Sequence, residues 1–195
     1  ERESPLNWSS VTRSTFGRMS FSSTLLRDLP LQGGPVEVRG AFELDRTPDG
    51  LLPRRLPAWT RSQIPDVMMN TIVQMTSGVR IAFVTDSPVV ELVVHPRTIH
   101  TVGARFVPPV LQLVVDGVVQ PDAVAHGGSA VHVDRLAGPE GITFEHGVAA
   151  TLHWDGLGES SKVIEIWFPT NATVEVQALR VAENAVVDAA PIIGT

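Results

Sequence analysis

The chain has 195 residues, 43% apolar and 18% charged, with a formal net charge of −6, which suits one globular domain with a sizeable core. The acidic balance argues against a nucleic-acid partner, because phosphate binding needs a basic surface. With no cysteine there is no disulfide framework, thiol nucleophile or cysteine metal site. No apolar run approaches the length of a membrane span, so the expectation is a cytoplasmic protein with no membrane partner.

Residues 1–18 are polar, Ser-rich and aperiodic, and Met19 is a candidate natural start. They are expected to be a leader or remnant lying outside the fold. The whole of 1–34 reads as an N-terminal extension, 35–185 as one β domain, and 186–195 as the start of a linker.

Val36, Val38 and Leu44 with Glu37, Arg39 and Glu43 give the alternation of a half-buried strand. Residues 47–66, TPDGLLPRRLPAWTRSQIPD, follow. Prolines at 53, 57 and 65 withhold N–H groups, so this stretch reads as a stiff connector rather than a ladder strand. It concentrates Arg54, Arg55 and Arg61 around Trp59, the composition of a docking or ligand surface. The plainer alternative is that Trp59 plugs one end of the core while the arginines are solvated.

Residues 68–75 and 79–85 flank Thr76-Ser77-Gly78 and read as a hairpin with Gly78 at positive φ. Val90, Leu92 and Val94 form the apolar face of the next strand, and 96–108 read as a long connection. Asp116-Gly117 between valine-rich runs is the strongest hairpin signal in the chain. Further strands are expected at 130–133, 149–154, 163–168 and 172–181. In the last, Val174, Val176 and Ala178 should alternate against Glu175 and Gln177. Eight to ten strands with little helix predict an all-β, antiparallel, jelly-roll-like β-sandwich.

Catalytic chemistry is hard to find by spacing. The six histidines form no H-x-x-x-H or H-E-x-x-H pair, so no metal is expected. His153 and Asp155 would share a strand face, which reads as a surface hydrogen bond. No G-x-S-x-G nucleophile elbow, phosphate loop or dinucleotide fingerprint is present. His126-Gly127-Gly128 faintly echoes an oxyanion loop but lacks a partner serine motif. No catalytic residue and no cofactor are therefore assigned. For a carbohydrate, the candidate stacking platforms are Trp59 and Trp154, whereas Trp167, in a strongly alternating strand, is expected to be packed.

The run GAFELDRTPDGLLPRRLPAWTRSQIPD, continuing into MTSGVRIAFVTDSPVVELVVHPR, resembles the N-terminal β-sandwich of actinobacterial GDSL/SGNH esterases and acyltransferases. The resemblance spans about residues 35–195 and implies a jelly-roll-like sandwich preceding an α/β catalytic domain. That family's nucleophile, oxyanion and D-x-x-H blocks are not found here, and none of the histidines has an aspartate three residues before it. The resemblance implies a non-catalytic accessory domain whose expected partners are an SGNH-type catalytic domain and a carbohydrate or acyl-acceptor small molecule. Two alternatives remain open: an independent carbohydrate-binding module, and a purely structural jelly-roll assembly domain.

Overall fold

The computed structural model describes residues 25–64 and 66–192; the expected leader at 1–18 lies outside them. The described chain forms two facing sheets, with one seven-residue helix and two 3-10 turns. It is an all-β sandwich.

The first sheet is built on β6 (Val90–Thr101) and β14 (Ala172–Ala182), which pair antiparallel along most of their length. β14 carries β4 (Gly50–Arg54) at Leu51 and β1 (Leu26–Asp28) further along, and β4 pairs with β3 (Glu43–Thr47). On the other edge of β6 lie β12 (Ala150–Trp154), antiparallel, and β10 (Ser129–Val133), the parallel neighbour, which pairs with β11 (Ile142–Glu145). The second sheet centres on β13 (Lys162–Trp167), flanked by β5 (Arg80–Thr85) and β7 (Val110–Val115). Short strands complete it: β2 (Glu37–Arg39) and β15 (Val187–Asp188) on β5, and β8 (Val118–Val119) and β9 (Ala123–Val124) on β7. Thus β1 and β15 join the sheets from outside the 35–185 span.

The core is the space between the sheets. Leu92, Val94, Leu152, Val174 and Leu179 meet Ile81, Phe83, Leu111, Leu113, Ile164 and Ile166, all buried. Strand alternation places them there, one face inward and one outward. Lys162 is buried at the end of β13, where its Nζ donates to the carbonyls of Ser87 at 3.0 Å and Thr85 at 3.4 Å. Burial pushes its pKa down, opposed by Asp86 and Asp116.

Several expectations hold. Asp116 and Gly117 both take positive φ, 48° and 80°, in the tight turn joining β7 to β8. Strands occur at 129–133, 150–154, 162–167 and 172–182.

Others are corrected. The stretch from Val36 to Leu44 is two strands in different sheets, broken at Gly40. Gly40 has φ +81°, and a Cβ there would stand 2.3 Å from the Gly78 carbonyl oxygen, so no other residue fits this crossing. The expected arm at 68–75 is instead helix α1 (Val67–Val73), because Asp66 caps it by accepting from Met69 N at 2.7 Å. Gly78 keeps its positive φ, but in a turn after a helix. Residues 96–101, read as connection, continue β6. Pro96 is tolerated because it stands where the edge of β6 passes from β12 to β10, between two ladders. Finally, β14 carries a register shift between Val176 and Ala178. Gln177 is the extra residue, and Leu179 rather than Ala178 fills the core.

Trp154 is 8% exposed, and its Nε1 has no hydrogen-bond partner. An orphan buried N–H is costly, whereas the ring is a large apolar contributor. Trp154→Phe is expected to change stability by under about 1 kcal/mol, and Trp154→Ala to cost about 3–5 kcal/mol, both read from urea unfolding midpoints.

Candidate functional site

The Arg/Trp stretch divides into three pieces: β4, a 3-10 turn (Ala58–Gln63) and α1. The expectation of a connector without a ladder strand is corrected, since Pro53 lies inside β4. It pairs with Leu44 on β3, and β14 meets β4 only at Leu51, so no ladder bond is asked of the Pro53 nitrogen. Pro57, at φ −59°, is the N-cap of the 3-10 turn, and its carbonyl accepts from Thr60 Oγ1 at 2.7 Å.

This local build separates the four residues singled out from sequence. Arg54 Nε donates to Asp45 Oδ2 at 2.5 Å, and Arg61 Nη2 reaches the same carboxylate at 2.9 Å and also pairs with Glu43. Arg61 therefore staples the turn to β3, and Arg54 ties β4 to the same carboxylate. Arg55 is exposed, and Trp59 is 66% exposed, so Trp59 does not plug the core. Leu56, Met69 and Ile72 add exposed apolar side chains between 56 and 72, a concentration suited to contact with another surface.

Trp154 cannot serve as a stacking platform. It shares the inward face of β12 with Ala150 and Leu152, so its ring faces the core. His153, on the opposite face, stands 4.0 Å from Asp155 and 3.7 Å from Glu91, a surface arrangement. Trp167 is half-buried, with the Arg80 guanidinium 4.6 Å from its ring centre.

A second locus was not visible by spacing. On the outer face of the first sheet, β6 presents His95 and Arg97, and β14 presents Glu175 beside them. Glu175 is fully buried, accepting from Arg97 Nη2 at 2.8 Å and from Thr47 Oγ1. His95 is buried too. Its Nε2 lies 2.8 Å from Ser129 Oγ on β10, and its Nδ1 lies 4.0 Å from Asp49 Oδ1 in the turn between β3 and β4. His146 Nδ1 stands 3.5 Å from the same serine oxygen.

Ser129 is set against β6 by Gly128 (φ +81°), where a Cβ would lie 1.9 Å from the Pro96 carbonyl oxygen; only glycine permits this approach. Ser129, His95 and Asp49, none of them singled out by the sequence, are thereby brought near one another. The parallel pairing of β10 with β6 makes the meeting, and it uses the part of β6 from Pro96 onward that the sequence reads as connection. The signal that could have found it is the spacing of His95 and Arg97, which share one strand face once β6 is read through Pro96.

Ser129 borders two clefts. One, about 360 Å³, is lined among others by Asn70, Gln74, Arg97, Phe144 and His146. The other, about 390 Å³, has apolar walls from Phe106, Pro108, Pro109, Ala125 and Val148. Next to the second, His100 stacks 4.2 Å from Phe106 and accepts or donates to Thr98 Oγ1 at 2.9 Å. Burial, then the neighbouring His132, lowers its pKa, while Glu145 opposes. Among the described residues no group of three or more His, Asp or Glu is placed to hold a metal, and no helix is long and apolar enough to cross a membrane.

Comparison with known proteins follows from this architecture. No protein-family model and no curated sequence matches the chain. Among solved structures, the salicylyl-acyltransferase SsfX3 from a tetracycline biosynthetic pathway superposes with a TM-score of 0.67 at 23% identity, over 86% of this chain and 42% of that one. A GDSL-like lipase from Bacteroides ovatus superposes with a TM-score of 0.54 at 15% identity, over 86% of this chain and 44% of that one. The chain shares its fold with part of each. It spans less than half the length of either.

Two expectations follow. Arg97→Met leaves the buried Glu175 carboxylate without its cation, and because Arg97 is itself partly exposed the expected loss is about 2–3 kcal/mol, measured by urea unfolding at neutral pH. For His100 the folded pKa is depressed, so its contribution is intact above the unfolded value of about 6.5 and is lost as pH falls through the folded value. Wild type should therefore lose more stability between pH 7.5 and 5.5 than His100→Gln, and equal losses would remove the assignment.

Proposed function

We propose that this chain is the non-catalytic accessory β-sandwich of an SGNH/GDSL-type ester hydrolase or acyltransferase. It packs on an α/β catalytic domain, stabilises it and helps shape its substrate entrance. The observation that carries this reading is the superposition on SsfX3 over most of this chain but under half of that enzyme. The absence of that family's nucleophile and D-x-x-H blocks from the sequence supports it. The docking surface is the segment carrying Arg55 and Trp59, because it holds an exposed indole and a solvent-facing arginine on a turn stapled to β3. Trp and Arg are the residues most often dominant at such contacts.

Trp59 also keeps the carbohydrate-module reading alive as a second possibility, since its face is free to stack on a sugar ring. The two readings separate by titration. The reading frame following Thr195, or an adjacent one, is expected to encode a catalytic domain with its Ser block. Calorimetric titration of that domain with this chain should weaken about thirtyfold in Trp59→Ala, the loss of a strong interface anchor. Unchanged affinity, with saturable binding to a glycan array abolished by the same substitution, would replace docking by sugar binding.

A further inference from the structure

We propose that the cleft beside Phe106 binds a short aliphatic carboxylate, with its charged end on Arg105 and its tail against Val102, Val107 and Ile99. This goes beyond the accessory role and does not rest on it.

The cleft adjoins the second of the Ser129 clefts through His100 and Phe106 and encloses about 500 Å³, within the range of small-ligand sites. One wall is the strap of residues 102–109 that joins β6 to β7. The strap is pinned at both ends. Val102 N donates to the Val133 carbonyl at 3.0 Å, and Asn171 Nδ2 donates to the Val107 carbonyl at 2.9 Å. Between the pins, Phe106 rests on His100, and His132 stands edge-on to His100 with ring centres 5.0 Å apart. The walls are thus set in advance, which lowers the ordering cost a ligand would meet.

Charge selects the occupant. The chain carries a net charge of −6, yet among the described residues no Asp or Glu lines this cleft. Arg105 does line it, and among the described residues its guanidinium has no hydrogen bond or ion pair. Glu145 lines the two neighbouring clefts instead, and it is engaged with His132 Nε2 at 2.9 Å. Arg46 is also unpaired, but it shares its cleft with Asp28 and Asp49. A planar cation with open donors and no competing carboxylate is matched by a carboxylate ligand.

The rest of the lining selects the tail. Val102 and Val107 are exposed, and Ile99 and Met75 are half-buried. These walls are aliphatic, and one face of Phe106 is already against His100. A flexible alkyl chain therefore covers more of them than a second flat ring would, and covering them removes apolar surface from water.

The test is saturation-transfer NMR on the full chain, titrated with hexanoate, hexan-1-ol and acetate. Hexanoate is expected to bind saturably with Kd about 1 mM. It should bind about tenfold more tightly than hexan-1-ol, which lacks the charge, or acetate, which lacks the tail. Arg105→Met should weaken hexanoate about tenfold and leave hexan-1-ol unchanged, and Arg105→Lys should recover part of the loss. Phe106→Ala should weaken both. Arg46→Met, the control for general attraction to positive charge, should change nothing. No saturable hexanoate binding, equal affinity for hexan-1-ol, unchanged affinity in Arg105→Met, or an equal loss in Arg46→Met overturns the proposal. Should hexanoate fail while titration with the catalytic domain weakens in Phe106→Ala, the cleft is part of the docking surface and holds no carboxylate. Trp59→Ala should leave hexanoate binding unchanged, so failure here leaves docking through Trp59 standing.

Discussion

A buried carboxylate governs the outer face of this sandwich. Glu175 sits in the middle of β14, fully excluded from solvent, and its charge is met by Arg97 on β6 and Thr47 at the end of β3. Burying a carboxylate without such partners would cost several kcal/mol, so the three positions are bound to one another. The consequence is that the β3–β4 hairpin cannot lift from the sheet without exposing the imbalance. Asp49, in the turn of that hairpin, is carried to His95 by the same constraint.

The first sheet is thereby buried on both faces along part of its length, which a half-exposed antiparallel sheet would not be. The register shift at Gln177 makes this possible within one strand. Before it, Val174 and Val176 face the core and Glu175 faces the hairpin; after it, Leu179 and Val181 return to the core. Arg180 then lies outward, bound to Asp28 at 2.7 Å and Glu91 at 2.8 Å. Sliding a strand by one residue exchanges its faces, so without the shift Arg180 would point into an apolar interior. The same hairpin supports the 3-10 turn through Arg61 and Asp45. The exposed Trp59 and the Ser129 clefts thus share one scaffold, on the side of the molecule away from the core.

The fold was legible wherever one residue type repeated at period two. β5, β7, β12 and β13 could be read from their alternating apolar residues, and the hairpin at Asp116-Gly117 from its turn chemistry. The same alternation in β12 places Trp154 inside with Ala150 and Leu152, against the expectation of a surface stacking platform. Helix α1 carried a capping signal in Asp66, but Ile72 and Val73 favoured the strand reading. Pro96 hid the second half of β6, because a proline in a central strand is ordinarily disfavoured and only the neighbouring change of partner admits it. The Ser129–His95–Asp49 meeting lay beyond any local signal, since its members come from two strands and a turn, and a parallel pairing joins the two strands.

Hydrogen–deuterium exchange on Glu175→Gln tests the governing role of that carboxylate most directly. Removing the charge should loosen the hairpin alone: amides of β3 and β4 are expected to exchange about tenfold faster, while those of β5 and β13 keep their protection. Equal acceleration in both sheets, or no change in β3 and β4, would contradict a hairpin held down by Glu175.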